Sequence, residues 1–557
     1  MNSFIFFLIL IGVLIFVHEL GHFLMGKLLG VKVLTFSLGF PPKLIGKRFG
    51  ETEYVIGAIP LGGYVRFLGE DSMDEVPKEE YHRAFHLQPF WKKSLIVVLG
   101  PLMNLTLPLF IYFVTSYESR IEPPMIGTVL PGSPAEKAGI MSGDQIIEID
   151  GKAVAGFNDM RDVISKKGGK KVKFVVLRDG KRIETMVEVE KQLDYIPPLD
   201  IKREVGRIGI LSGYEAPLIQ VPDNESLAFR MGLRTGDLIL RIGDKNILKW
   251  SDIENFTVKP GLNVTIDLLR PGKVNVPGGN IYAMSFQSIP VSIPSDFAGR
   301  NFTAIGVDST QLYIQSVTAG SPADNAGIRV GDKIVKINGH EVKLWAEVEQ
   351  TLKSYPDSYH EFTVRKPDGA FLNTYLKMNK VSITDDLKQE TFSYTFGAFN
   401  FSILKEFESI PNPDPVAGAI KGGIVETFSA IKLTILGIVR IIQGRISIKT
   451  LGGPIMIYDL AGKAAKVGAE SFLRLMALVS ISLGIINLVP IPMLDGGLLL
   501  LFVIEFIIRR SPGEKFRMIY QYVGFAIIGL LIILVFKNDI ERYWDTIANF
   551  FGRGSSG

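Results

Sequence analysis

Two histidines stand four residues apart with a glutamate between them, in His18-Glu19-Leu20-Gly21-His22. On a helix, residues four apart share a face, so His18 and His22 can hold one metal ion with Glu19 beside it. Two imidazole ligands and a glutamate able to activate water form the donor set of zinc-dependent peptide hydrolysis. Five residues alone match such a pattern by chance, but the setting here is unusual. Segment 4–26 is otherwise uncharged and apolar, and ionisable groups in such a stretch are costly unless paired or ligating. Catalytic zinc takes three protein ligands and leaves one position for water, so a third ligand is required. Asp495 is the candidate, in Asn487-Leu-Val-Pro490-Ile-Pro492-Met-Leu-Asp495-Gly496-Gly497. Two prolines inside an apolar stretch break a helix and free its carbonyls, and an aspartate at that break is placed to ligate. The plainer alternative is a cap or turn aspartate in front of two glycines.

The elements that must position these groups are apolar helices. Segments 4–26, 94–117, 475–494 and 518–536 carry one formal charge between them, Glu19. A span needs about 20 apolar residues, so four membrane helices are expected, the third drawn as 475–497. No basic residue precedes the first segment and no small-residue cleavage site follows it, so it reads as a retained span rather than a signal peptide. A fifth apolar patch, around Ile424–Ile442, is interrupted by Glu426, Lys432 and Arg440. It is expected to lie on a membrane surface as an amphipathic helix within a surface region 403–473, a further span being the alternative. Loop 27–93 holds ten Lys/Arg, and Arg509, Arg510, Lys515 and Arg517 follow the third span. The positive-inside rule puts both loops in the cytoplasm, and the termini and the middle of the chain outside.

Across all 557 residues, 47% are hydrophobic and 21% are charged, against about 25% charged in an ordinary soluble protein. The deficit is concentrated in the spans. A formal net charge of +4, with no basic stripe carrying interleaved aromatics, excludes nucleic acid as a partner. The absence of cysteine excludes disulfides, thiolate zinc ligands and thiol catalysis.

The charged middle repeats itself. Gly132-Ser-Pro-Ala135, Ala138-Gly139-Ile140, Gly143-Asp144 and Ile149-Asp150-Gly151 return as Gly320-Ser-Pro-Ala323, Ala326-Gly327-Ile328, Gly331-Asp332 and Ile337-Asn338-Gly339. A weaker copy lies between them, with Ala228, Gly232-Leu233, Gly236-Asp237 and Ile242-Gly243-Asp244 but no Gly-Ser-Pro entrance. Units are expected at 121–212, 213–308 and 309–402. Each is a small mixed α/β barrel in which a strand enters a helix capped by serine, with proline in its first turn. A glycine ends that helix, and a later strand closes at a tight turn such as Asp150-Gly151. The units resemble PDZ domains in the permuted form of bacterial envelope proteases. Such a resemblance implies peptide capture by strand addition; spacers or a steric filter are the alternatives.

His18-Glu-Leu-Gly-His22 together with Asn487…Pro490-Ile-Pro492…Leu494-Asp495-Gly496 resembles the site-2 proteases, intramembrane zinc metalloproteases. Further matches are Ile59-Pro-Leu-Gly-Gly-Tyr-Val65, Gly100-Pro-Leu-Met-Asn104 and Gly453-Pro-Ile455. The bacterial branch of regulator-of-sigma-E proteases, with PDZ units outside the membrane, is the most similar, although that branch usually carries two such units. The resemblance implies a polytopic α-helical membrane protein, its halves at 1–120 and 474–557, with a membrane-associated β-hairpin and an inserted array of PDZ-like barrels. It implies one zinc ion on His18, His22 and Asp495, with Glu19 as general base. Asn487 matches a residue held to grip unwound substrate, or else makes a helix–helix hydrogen bond. Pro490 and Pro492 are assigned to the same substrate path. Asn104 either faces substrate or packs. A hairpin at 52–68, turning at Pro60-Leu-Gly-Gly63, brings Gly62, Gly63 and Tyr64 to a substrate-clamping edge, or is an ordinary cytoplasmic hairpin. Implied substrates are single-span proteins already trimmed outside, of the anti-sigma factor type, and remnant signal peptides. A catalytically idle PDZ scaffold is the competing reading, and it leaves His18, Glu19 and Asp495 without a purpose. A metal transporter fails because the spans hold no further relay of ionisable residues.

Overall fold

The helical frame consists of α1 (Ser3–Leu28), α2 (Phe90–Thr115), α3 (Pro415–Ile442), α4 (Pro454–Val467), α5 (Ala469–Leu488), α6 (Asp495–Ile508) and α7 (Glu514–Gly552). These come from a computed structural model that describes residues 3–552 apart from 71–75, 119, 197–200, 260, 262, 277–278, 298, 385–389, 401–403 and 511. Among the described residues, α1, α2, α5 and the Lys515–Trp544 part of α7 are long and apolar enough to cross a membrane. The 26 residues of α1 rise about 39 Å, more than the roughly 30 Å hydrocarbon core.

The third apolar segment is not one helix running to residue 497. α5 ends at Leu488, and Val489–Leu494 form an irregular link before α6 starts at Asp495. Pro490 and Pro492 are the cause: neither has an N–H to give, and each ring clashes with the preceding turn. The amphipathic patch is also longer than expected. α3 starts at Pro415, capped by Asp414, whose carboxylate accepts from the Ala417 N–H at 3.0 Å. It crosses the end of α2 at Gly422 and Gly423, where Glu426 accepts from Ser116 and pairs with Arg474 of α5 at 2.6 Å.

The hairpin differs most from the sequence reading. Two long strands, β1 (Val33–Phe49) and β2 (Thr52–Phe67), turn at Gly50-Glu51, not at residues 60–63. Residues 35–38 pair with 63–66 on one side and with 53–56 on the other, so β1 folds back into the middle of its own sheet. Gly62 and Gly63 lie inside β2 because of what they touch. A Cβ on Gly62 would meet the Phe40 ring, and one on Gly63 would meet the Ser37 carbonyl at 2.7 Å. Phe36, Val65 and Phe67 pack with Ile96 of α2 into a small core against the end of α1.

Three four-stranded sheets follow among the described residues, with strand orders built the same way. Their second and third strands, 145–149 with 171–178, 238–242 with 263–276 and 333–337 with 359–365, share a register slip at one position: Ile146/Glu148, Ile239/Arg241 and Ile334/Lys336. Each has its own core, centred on Phe174, on Phe302 and on Phe362. Ser133, Ser226 and Ser321 cap the short helices. Ser226 therefore does in the middle copy what the missing Gly-Ser-Pro entrance signals in the others. The Gly-Asp carboxylates are buried and paired: Asp144 with Arg178, Asp237 with Arg270, Asp332 with Lys366, at 2.6–2.7 Å. Entry and exit of the array are stitched together, 120–121 to 410–411 and 214–215 to 404–405.

A cavity of about 860 Å³ lies where the three units meet, lined among others by Met141, Glu215, Trp250, Leu312 and Lys333. Burial pushes the Glu215 carboxyl up to about 7, opposed by its hydrogen bond from Ser309 and reinforced by Glu254 and Asp308. Charging Glu215 therefore costs more in the fold than in the unfolded chain. Its contribution is intact below the ordinary value of 4.5 and is lost as pH rises toward about 7, with a ceiling of about 3 kcal/mol. In full-length protein, hydrogen exchange at residues 213–216 and 404–406, corrected for intrinsic rates, should be slower at about pH 5 than at about pH 8. Glu215→Gln should abolish that difference.

Candidate active site

One face of α2 sets the site. Ile96, Gly100 and Asn104 recur every four residues and meet the His18–His22 face of α1, which runs the other way. Gly100 lies under the His22 ring, and Gly21 of α1 lies against the Leu99 carbonyl. A methyl group at either place would collide, so the pair lets the helices approach closely.

His22 Nδ1 is 2.9 Å from the Ile96 carbonyl oxygen. A carbonyl only accepts, so Nδ1 carries the proton and Nε2 keeps its lone pair for a ligand. His18 Nδ1 lies 3.2 Å from Asn104 Nδ2, and His18 Nε2 is 3.3 Å from His22 Nε2. Asp495 closes the triangle, with Oδ2 at 3.2 Å from His18 Nε2 and Oδ1 at 3.6 Å from His22 Nε2. It stands in the first turn of α6, where the positive end of the helix dipole favours a carboxylate. The link before it is held tightly. Gly496 and Gly497 sit on the carbonyls of Leu488, Val489 and Ile491, and Gly524 of α7 sits on that of Pro492. Met493 takes a left-handed φ of 77°, a strained state for a residue with a side chain.

Zinc bonds of about 2.0–2.1 Å in a tetrahedron imply donor–donor edges of about 3.3 Å. The three edges here are 3.2, 3.3 and 3.6 Å, and the three donor atoms form a group able to hold a metal ion. Two neutral imidazoles with one carboxylate also suit zinc by ligand type.

Glu19 projects beside this triangle. Its Cγ is 3.0 Å from where a Gly63 Cβ would stand, and its carboxylate accepts a backbone hydrogen bond from Val65. The structure thus brings His18, Glu19, His22, Asp495, Asn104 and Gly63 together. Gly62 and Tyr64 flank Gly63 on β2, half-buried. Asn487 stands in the last turn of α5, half-buried, without a side-chain hydrogen bond among the described residues, and Pro490 is exposed in the link that follows. One assignment changes, and for another the structure favours one of two alternatives. Asn104 is fully buried against His18, as its packing alternative expects. Pro492 is buried under Gly524 and packs the link instead of lining a path.

Sequence reading missed several supports. The Ile96 carbonyl carries no side-chain signal. The hydroxyl of Ser480 on α5 donates to the Asn104 carbonyl at 2.7 Å, and nothing in its neighbours marks it. Lys93, counted for its charge, pairs with Glu505 at 2.9 Å, as does Arg517 at 2.7 Å, joining α2, α6 and α7. That pairing was legible only in Glu505, an acid within an apolar helix.

The family model described as Peptidase family M50 matches residues 6–531. Candidate zinc metalloproteases of Ralstonia nicotianae and Vibrio cholerae are 30% and 31% identical, over 96% and 97% of this chain and 97% and 98% of their own lengths. Protease RseP of Yersinia pestis is 26% identical, over 96% of this chain and 98% of its own. With a zinc-type donor triangle inside apolar helices and a match along nearly its whole length, the chain belongs to Peptidase family M50, the site-2 protease family of zinc metalloproteases.

Proposed function

We propose that this protease hydrolyses peptide bonds within transmembrane segments of single-span membrane proteins already trimmed outside the membrane, using one zinc ion per chain. Anti-sigma factor-like proteins and remnant signal peptides fit that description. The observation that carries the reading is that His18, Glu19 and His22 lie on the membrane-length helix α1 and meet Asp495 at the start of the apolar helix α6, next to a β-strand rather than in a soluble domain.

His18, His22 and Asp495 would hold the zinc, which when bound would supply Lewis-acid chemistry, acidifying a water toward a pKa of about 7 and polarising the scissile carbonyl. Glu19 takes a proton from the attacking water on its carboxylate and delivers it to the leaving amide nitrogen. A helical substrate has its peptide groups bonded internally, so it must be drawn out before cleavage. Residues 63–65 of β2 pass directly beside Glu19 and offer a strand along which an unwound segment can add. Asn487, with its amide uncommitted, is placed to hold that segment's backbone.

Charge and packing support one orientation in the membrane. The start of α1, the end of α2, the start of α5 and the far end of α7 gather with α3, α4 and the repeats, through Ser3 against Gly462, Glu426 with Arg474 and Lys421 with Asp159. This end is periplasmic in our reading of an inner-membrane protein. The histidines lie toward the opposite end of α1, whose following loops carry the basic residues. The three repeats act as PDZ-type units that screen substrates by size or bind their tails.

Purified protein should retain zinc, and His22→Ala or Asp495→Ala should lose it. Glu19→Gln should keep the metal while cleaving a labelled transmembrane peptide about 10³-fold more slowly, read by mass analysis of the products; full activity would sink the mechanism. Gly63→Val should leave zinc content unchanged and lower kcat/KM on that peptide by about 10²-fold, because strand and base are then pushed apart. Arg120 and Ile121 already pair with Pro411 and Ile410, so residues 122–409 can be replaced by a two-residue Asn-Gly turn between these adjacent strands. The shortened protein should cut untrimmed substrates that wild type spares; if they stay intact, the repeats are not a size screen.

A further inference from the structure

The two histidines are held differently. His22 faces a carbonyl, which fixes the proton on Nδ1 whether or not metal is present. His18 faces a carboxamide, which offers a donor at one end and an acceptor at the other. As the amide stands, Asn104 Nδ2 points to His18 Nδ1 at 3.2 Å, while Asn104 Oδ1 is buried without a partner among the described residues. That arrangement is self-consistent for a histidine without metal. Nδ1 accepts from the amide, and Nε2 carries the proton and donates to Asp495 Oδ2 at 3.2 Å. It is inconsistent with zinc on Nε2, because Nδ1 must then carry the proton and two donors would face each other.

We propose that Asn104 is a positioning residue for the zinc site: its side-chain amide turns over when metal binds, so that Oδ1 accepts from His18 Nδ1–H. The inference rests on the zinc reading above. The two ends of the amide have nearly the same shape, so the turn needs no repacking of the α1–α2 contact. The unpaired Oδ1 is exchanged for a hydrogen bond that orients His18 and strengthens it as a ligand. Ser480 holds the Asn104 backbone carbonyl, so the side chain turns about a fixed point.

Full-length protein labelled with ¹⁵N-histidine tests this without substitution. Adding zinc should move the His18 proton from Nε2 to Nδ1 while His22 remains Nδ1–H. An unchanged His18 tautomer would overturn the proposal. Competition with a chelator then gives zinc affinity for Asn104→Leu, which keeps the branching and heavy-atom count but offers no acceptor, and Asn104→Asp, which offers one in any orientation. Asn104→Leu should bind zinc about 10–100-fold more weakly, and Asn104→Asp at least as tightly as wild type, each with the Co(II) absorption spectrum of the wild-type site. Equal weakening in both variants would reduce Asn104 to packing and overturn the proposal. Failure of wild type to bind zinc at all would instead remove the zinc reading on which it rests.

Discussion

Everything in the membrane half depends on one requirement: three charged or polar donors must meet at edges of about 3.3 Å inside an apolar bundle. Left unligated, such groups are costly in hydrocarbon, so they must be brought together by elements that cannot drift. Helix α2 does this for the histidines. Its residues 96, 100 and 104 give an acceptor, a gap and an amide along one face, so the α1–α2 contact and the orientation of both imidazoles are the same structural fact.

The carboxylate arrives by different physics. A continuous third helix would have placed residue 495 in regular register, with its backbone groups already committed. The two prolines end α5 at Leu488, and the link restarts as α6 with Asp495 in its first turn. The break therefore presents the acid at the positive end of a helix. The glycines after Asp495 are not flexible hinges in this arrangement. They are the residues small enough to let a helix start directly on top of the carbonyls that the break exposes.

What was legible in the sequence follows from how local each signal is. His18, Glu19 and His22 show because their relation is fixed by one helical turn. Asp495 shows because two prolines and an acid in an apolar run have few bland explanations. The serine caps and the Asp150-Gly151 turn show because left-handed turn residues and N-caps are local chemistry; both turn residues have positive φ, 48° and 77°. The hairpin was misread for the same reason. Pro60-Leu-Gly-Gly63 is a turn by local rules, but the Phe40 ring and Ser37 require glycines there, and those contacts lie more than twenty residues away in sequence. Ser226 makes the same kind of cap, to the Phe229 N–H, but was hidden because no glycine precedes it and no proline follows it. Asn104 stayed open between facing substrate and packing because a polar residue in a span is compatible with both; its contact with His18 comes from another helix and has no local signal.

Helix α7 binds these parts into one object, although it contributes no side chain to the metal triangle. Near its start Gly524 lies on Pro492 and Tyr520 donates to the Gly497 carbonyl at 2.8 Å, bracing the link that carries Asp495. Near its far end Asp539, fully buried, accepts from the N–H groups of Gly453, Ile455 and Met456 at 2.9–3.2 Å. One carboxylate thus caps the start of a different helix, α4, whose first residue Pro454 has no N–H to offer. α4 in turn packs on the beginning of α1 at Ser3. Between these two anchor regions, Phe525, Leu530 and Ile533 are each more than 60% exposed, as suits a helix facing lipid. A single helix therefore sets both the link before Asp495 and, through α4, the Ser3 end of the helix that carries His18 and His22. The two halves of the site, distant in sequence, are held in register by a contact at each end of α7 and by the face of α2 between them.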